Sequence, residues 1–539
     1  MTEQFDYIVV GAGSAGCVLA NRLSADGKHS VLVLEGGGAD SHPWVRIPTG
    51  IGKMLTDSRF VWPYRTEPEA ELNGQSIYWP RGRMVGGSSS INGMIFVRGG
   101  AHRYDEWRDG NNPGWGFADL LPYFKKIEDR QGGDSEWRGT GGRLTVSDGG
   151  YRDPLSRAFM DACVEAGTFE NSDYNGVRFE GAGWLQYSIQ NGRRWSAASA
   201  YLRPAQSRAN LEVRTEAHAT RVLLEGKRAV GVAYRKGDGS HEVLAGREVI
   251  LAAGPIVSPK LLELSGIGNS EVLGAHGIET THHLPGVGEN LQDHLQNRIT
   301  YETDKKVTIN DILNNPVRGA LAGLRYLAKR DGILAIPSAA AHAIMRSEES
   351  VPHPDLKFQL SLFSGKDRYS RDKKIGVDPF PGFSLGVFQL YPESRGSVHI
   401  RSADAQDAPE IKANYMTHPT DKALVLRSMR LVRHIAAQPA LARHIVREVR
   451  PGPDAQSDEE LLAYVRDSGQ TSWHPISSCR MGRGENDVVD YELRVHGMEH
   501  LRVVDSSIMP NMPTSNTNAP SIMIGEKGSD LILAATASE

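Results

Sequence analysis

Cysteine is scarce in this chain of 539 residues: there are three, Cys17, Cys163 and Cys479, scattered and odd in number. That excludes a disulfide framework and any CxxC metal or redox pair, so no metal site is expected and a reducing compartment is the default. An excess of one charge is also missing, because 61 lysines and arginines face 65 aspartates and glutamates, a net charge of −4. Without a strong positive field, nucleic acid is not an expected partner. No apolar run is long enough to span a bilayer, and the first apolar strand begins near Phe5, which leaves no room upstream for a secretory signal. The expectation is a soluble, cytoplasmic protein, with loose attachment to a membrane surface still compatible. Repeats, low-complexity tracts and long linkers are absent too, so the length implies two or more compact domains around a substantial core.

Glycine is what the chain has in quantity, 58 residues, and its first cluster is the most informative. An apolar run, Tyr7-Ile8-Val9-Val10, opens into Gly11-Ala12-Gly13-Ser14-Ala15-Gly16, and a second, Val31-Leu32-Val33-Leu34, ends at Glu35, nineteen residues after Gly16. The order reads strand, glycine turn, helix from Ala15 to Leu23, strand, acid. Gly11 allows a tight turn, Gly13 lets the backbone approach a pyrophosphate, and Gly16 lets the helix pack closely on the strand. The helix start offers free N–H groups and a positive dipole end to an anion, and the Glu35 carboxylate can accept from ribose hydroxyls. These residues make the adenosine half of a dinucleotide site.

A second glycine-rich run extends from Tyr78-Trp79-Pro80 through Gly82-Arg83-Met84-Val85-Gly86-Gly87-Ser88-Ser89-Ser90-Ile91-Asn92-Gly93. Its small residues and backbone donors suit close approach to a flat or anionic ligand. Alternating apolar residues from Asn210 to Ala253 predict a β-rich segment with one hairpin at Glu225-Gly226-Lys227. A buried strand then turns into a helix at Gly254-Pro255. Apolar residues at helical spacing predict core helices over Arg318–Lys329 and Thr420–Ala437. Gly382-Phe383-Ser384-Leu385-Gly386 fits the GxSxG pattern of serine hydrolases, but no buried strand precedes it and Val387 to Tyr391 reads as strand, so a nucleophile elbow is rejected.

Taken together these stretches resemble the glucose–methanol–choline family of flavin-dependent oxidoreductases, from about Phe5 to Leu533. Gly82 to Asn92 looks like the family's first signature, and Gly254-Pro255 through Ser258-Pro259 to Ser265-Gly266-Ile267-Gly268 looks like its second. Pro285-Gly286-Val287-Gly288-Glu289-Asn290-Leu291-Gln292-Asp293-His294 is similar to a third stretch. The resemblance implies an α/β (α+β overall) fold: a Rossmann-like FAD-binding domain with a parallel sheet, interwoven with a substrate domain of antiparallel sheet flanked by helices. The expected segments are 1–155, 204–300 and 480–539 for the first domain and 156–203 and 301–479 for the second. Cofactor contacts are implied at Gly11, Gly13, Ser14, Ala15, Gly16 and Glu35; at Arg83, Gly87, Ser88, Asn92, Gly93 and Met94; at Val222, Ala253 and Gly254; and at Asp505, Asn518, Ala519 and Pro520. Members that hold FAD covalently carry a histidine directly before the asparagine of the first signature; here that residue is Ile91, so non-covalent FAD is expected.

Toward the C-terminus, Thr471-Ser472-Trp473-His474-Pro475 and Asn516-Thr517-Asn518-Ala519-Pro520 look like the segments that place the family's catalytic pair, and His474 and Asn518 are the expected pair. An alcohol's hydroxyl proton has a very high pKa, so hydride leaves its carbon only as that proton leaves; neutral imidazole is the suitable base. The expectation is that His474 takes the proton as hydride passes to flavin N5, with Asn518 donating to the developing alkoxide. Trp473 is expected to wall the substrate pocket beside His474 and Asn518, and Asp293 and His294 to be structural. Choline-oxidising relatives carry an acid two residues beyond this histidine; Gln296 stands there, which disfavours a quaternary cation. The expected activity is oxidation of an uncharged primary alcohol, aliphatic or aryl. Electrons pass to a quinone or another acceptor, with an oxidase that makes hydrogen peroxide from O2, or a non-oxidising lyase or decarboxylase, as alternatives. The sequence does not give the oligomeric state.

Overall fold

The computed structural model describes residues 3–365 and 376–538. Because Tyr7 to Val10 and Val31 to Leu34 are buried throughout, their strands need cover on both faces, the condition of a parallel sheet. The first sheet runs Leu211–Arg214, Val31–Leu34, Gln4–Val10, Gly239–Leu251, Arg228–Lys236, Ala217–Glu225, with Leu501–Val503 alongside Gly239–Leu251. Gln4–Val10 pairs in parallel with both neighbours, whereas the strands from Ala217 to Leu251 form an antiparallel meander. The expected helix is present as Ser14–Leu23. It packs against the last helix, Asn518–Ser538, so closely that a Cβ on Gly525 would lie 2.9 Å from the Val18 Cβ. The β segment holds two hairpins rather than the one expected; the second turns between Lys236 and Gly239.

The second sheet is antiparallel, in the order Ile445–Arg450, Leu295–Thr303, Gly382–Gln389, Leu356–Ser361, Ala339–Met345, Gly181–Trp184, with Gln470–Thr471 paired to the start of Leu295–Thr303. The helices Pro154–Glu165 and Pro419–Ala436 pack their apolar residues into the same core cluster as this sheet. Leu295–Thr303 runs across the boundary expected at residue 300 and lies wholly in this sheet. Gly382 to Gln389 is a buried strand in which the Ser384 hydroxyl donates to the Phe363 carbonyl at 3.1 Å, as rejection of a nucleophile elbow requires.

One helix departs from expectation. Pro419–Ala436 buries Val425, Met429, Val432 and Ile435 as a core helix does. Pro316–Lys329 buries only Tyr326 among the described residues. The 3.6-residue period shows that an apolar stripe exists, and says nothing about whether protein covers it.

Candidate active site

Between the sheets lies a cavity of about 320 Å³, reached by both glycine runs and by the C-terminal segment. At one end the helix Ser14–Leu23 starts at Gly13 with no side-chain cap and no acid in its first turn, leaving its N–H groups for an anion. Close approach explains two of the glycines. A Cβ on Gly16 would lie 1.9 Å from the Gly11 carbonyl oxygen, and one on Gly87 would lie 2.8 Å from the Gly13 Cα. The two glycine runs therefore touch, and Gly11, Gly13, Ser14, Ala15, Gly87 and Ser88 all line the cavity.

Glu35 also lines it, at the end of its strand. Its Oε2 accepts from the Ala12 N–H at 2.9 Å and its Oε1 from the Gly37 N–H at 2.7 Å, and burial pushes its carboxyl up to about 7. Asp505 accepts from the Gly254 N–H at 2.8 Å and the Ser258 hydroxyl at 2.6 Å, so it pins the start of Gly254–Leu264 against the cavity. Ala253 and Gly254 form the wall beside it. Further along, the Asn92 Oδ1 accepts from the Met94 N–H and from the buried Arg194 Nη1, both at 2.9 Å, which fixes Asn92, Gly93 and Met94 in the wall. No motif drew attention to Arg194.

Several expected contacts lie elsewhere. Val222 is not part of the lining; its N–H donates to the Ser265 hydroxyl at 2.8 Å, and Ala217, His218 and Ala219 of the same strand form the wall. Arg83 stacks its guanidinium 4.5 Å above the Trp62 ring, and Trp62 rather than Arg83 faces the cavity. Gly16, Ala519 and Pro520 are not among the lining residues.

At the opposite end His474 and Trp473 line the cavity. Buried Asp293 holds this turn from behind, accepting from the His474 N–H at 2.7 Å, the Thr471 hydroxyl at 2.5 Å and the Tyr415 hydroxyl. The expected pairing needs correction here: the side chain on His474 is Asn516, whose Nδ2 lies 2.9 Å from His474 Nε2. Asn518, two residues on, begins the last helix, and its Oδ1 accepts from the Ser14 hydroxyl at 2.9 Å, at the anion end of the cavity.

His474 stands in a chain of contacts whose proton positions follow from the end groups. Buried Lys357 donates at 2.8 Å to the Asn516 Oδ1 and at 3.0 Å to the Ser515 hydroxyl. A lysine ammonium only donates, so the amide turns its oxygen to Lys357 and its NH2 to His474, whose Nε2 must accept. His474 Nδ1 lies 3.0 Å from His294 Nδ1, and His294 Nε2 lies 3.3 Å from the Leu390 carbonyl. That carbonyl only accepts, so His294 carries its proton on Nε2, leaves Nδ1 bare and receives the His474 Nδ1–H. Every contact is satisfied with both rings neutral. Burial, then His294, Lys357 and Arg81, hold His474 well below the usual imidazole range; burial takes His294 down to about 3 and Lys357 down to about 7. His294, expected to be structural, thus touches His474 directly, and Lys357 drew no expectation.

Family models of GMC oxidoreductases match residues 5–296 and 392–525. The chain is a GMC oxidoreductase. It is 43% identical over 533 residues to the oxygen-dependent choline dehydrogenase of Brucella anthropi, covering 98% of this chain and 96% of that protein. It is 40% identical to the alcohol dehydrogenase (acceptor) of Pseudomonas putida, with coverage of 98% and 96%. Pyridoxine 4-oxidase from Mesorbium loti superposes with a TM-score of 0.88 at 31% identity, over 97% of this chain and 98% of that one. The cofactor of this GMC oxidoreductase is FAD. The cavity fits that group: an uncapped helix start and touching glycine runs for the diphosphate, a buried acid at the strand end, and a wall that continues past Asn92 to the imidazole of His474.

Proposed function

We propose that this GMC oxidoreductase oxidises an uncharged primary alcohol, aliphatic or aryl, to the aldehyde, with His474 as base and Asn516 as its partner. The observation that carries the reading is the 2.9 Å contact between Asn516 Nδ2 and His474 Nε2 in the cavity wall, a donor and an acceptor that bond each other and between which an entering hydroxyl can insert. An alcohol hydroxyl is the group that satisfies both, accepting from the amide and donating to the imidazole. As the proton moves to Nε2 the oxygen becomes anionic, and the fixed amide N–H stabilises it. His294 receives the Nδ1–H throughout, holding the tautomer that keeps Nε2 free. Bound FAD supplies a two-electron acceptor for the hydride leaving the alcohol carbon. With Ile91 rather than histidine before Asn92, that FAD is held non-covalently.

Cationic substrates are disfavoured. Besides His294, the groups that bear electrostatically on His474 are Lys357 and Arg81, neither of which attracts a cation, while Asp293 is engaged by three donors behind the backbone. Trp473 and Phe388 line this end of the cavity and suit an apolar or aryl group. Electrons leave to a quinone or similar acceptor, with an oxidase as the alternative, and the enzyme works in the cytoplasm. The test is anaerobic stopped-flow absorbance of the yellow protein against aliphatic alcohols, aryl alcohols and choline, followed by mixing the reduced enzyme with oxygen. Bleaching by an uncharged alcohol and not by choline is the expected result. Bleaching by choline alone overturns the substrate class, and none with any alcohol favours a non-oxidising member. Slow reoxidation by oxygen marks a dehydrogenase, fast reoxidation an oxidase.

A further inference from the structure

Among the described residues ten large hydrophobic side chains are exposed, and five of them, Leu313, Val317, Leu321, Leu324 and Leu327, fall within one stretch of fifteen residues. The helix Pro316–Lys329 carries four of the five, at exposures of 68%, 61%, 63% and 66%. At about 100° per residue Val317, Leu321 and Leu324 share one face with Ala320 and Ala328, and Leu327 borders it. Tyr326, buried and donating its hydroxyl to the Gly192 carbonyl at 2.9 Å, points the opposite way, into the protein. Arg318, Arg325 and Lys329 lie along one edge of the apolar face, about 80–120° from its centre. The helix is well made at both ends: Asn315 caps it, Pro316 occupies the first position, and Arg330 ends it in a left-handed conformation. An ordered helix thus presents leucines to solvent with basic groups at the rim.

Charge points to the occupant. From Asp304 to Asp331 six basic side chains stand against three acidic ones on a chain whose net charge is −4. Arg318, Arg325 and Lys305 pair with Asp311, Asp331 and Asp304, which leaves the surplus with Lys306, Lys329 and Arg330 around the same helix. A second copy fits poorly. A helix of 14 residues is about 21 Å long and about 10 Å wide, so its face offers roughly 200 Å² where a stable interface takes about 800 Å² from each partner. Two such faces would also oppose like charges. A single amphipathic helix of this size with a basic rim matches the interfacial zone of an anionic bilayer, where leucines enter the acyl boundary and lysines meet headgroup phosphates.

We propose that Pro316–Lys329 docks this enzyme reversibly on anionic phospholipid membranes, its apolar face in the interfacial zone. No segment crosses the bilayer in this arrangement; no helix among the described residues is long and apolar enough to do so. From Arg330 the chain runs through Ile333–Ala335 directly to Pro337, Ser338 and Ala339 in the cavity wall.

The test is co-sedimentation of the FAD-loaded full-length enzyme with vesicles of phosphatidylcholine alone or mixed with phosphatidylglycerol. It needs no substrate, so its failure leaves the alcohol reading untouched. The expected result is binding to the mixed vesicles that weakens with added salt, with little binding to phosphatidylcholine alone. The double variant L321S/L324S, changed only at exposed positions, loses binding by about tenfold or more while its bound FAD content and melting temperature are unchanged. Lys329→Glu weakens binding to the anionic vesicles by about fivefold or more. Wild-type enzyme left in the supernatant with anionic vesicles overturns the proposal, as does equal binding by L321S/L324S. So does a wild-type dimer in sedimentation velocity that L321S/L324S converts to monomer, which assigns the face to a second copy.

Discussion

The two ends of the cavity are built in different ways. The anion end comes from short continuous stretches, Gly11 to Gly16 and Gly82 to Asn92, in which each residue's job is local: a turn, a close approach, a free helix start. The imidazole end is assembled from remote segments, Lys357 on the second sheet, His294 at the start of another strand, His474 on a turn, and Asn516 before the last helix. A local end tolerates loss of one contact, because several backbone groups share the ligand. A chain of single contacts does not, since each proton position depends on the next. Substitutions at the two ends should therefore fail differently.

The largest effect is expected for His474→Ala: the anaerobic rate of flavin reduction falls by about 10²–10⁴-fold with the yellow cofactor retained, and near-normal reduction would remove His474 as base. Asn516→Ala is expected to cost about 10²-fold in the same rate, whereas Asn518→Ala weakens FAD retention and leaves reduction within a few-fold. Equal rate losses for the two asparagines would restore Asn518 to the catalytic pair and blur the distinction between the ends. For Glu35→Ala the expected outcome is FAD affinity lowered by about tenfold with reduction of bound flavin unchanged, checked by flavin content after dialysis.

The smallest change is the most specific. Activity requires neutral His474, so it is lost as pH falls through that residue's pKa, which lies well below the usual imidazole value, in part because of Lys357. Removing the cation in Lys357→Gln, which keeps a donor for Asn516, raises that pKa. The acid limb of kcat/KM against pH should move to higher pH, accompanied by a rate loss of only a few-fold. An unmoved limb would mean that the lysine acts through geometry alone.

The same contrast explains what could be read from the sequence. The glycine turn, the helix after it and the acid at Glu35 obey spacing rules that survive folding unchanged, so that end of the site was legible. His474 was reachable only through family resemblance, one histidine among eighteen. Asn516 and Asn518 are indistinguishable in Asn-Thr-Asn, because the choice depends on which residue enters the last helix and which stops short of it. Lys357 gave no signal at all. It shares a strand face with Gln359 and Ser361, and such an alternation reads as a solvated face; the second sheet turns that face toward the cavity instead. Pro316–Lys329 failed for the converse reason: its apolar stripe was read as core, and none of the described residues buries it.

The closeness of the first and last helices carries a consequence for synthesis. Ser14 meets Asn518, Val18 lies under Gly525, and the central strand of the first sheet waits for Leu501–Val503 to lie beside it. The glycine turn is synthesised long before the segment from Asp505 to Ser521 that completes the cavity wall around it. Flavin capture in this enzyme therefore waits for Leu501–Val503 and the helix beginning at Asn518 to be made, and the earlier strands must be kept from aggregation until those segments arrive.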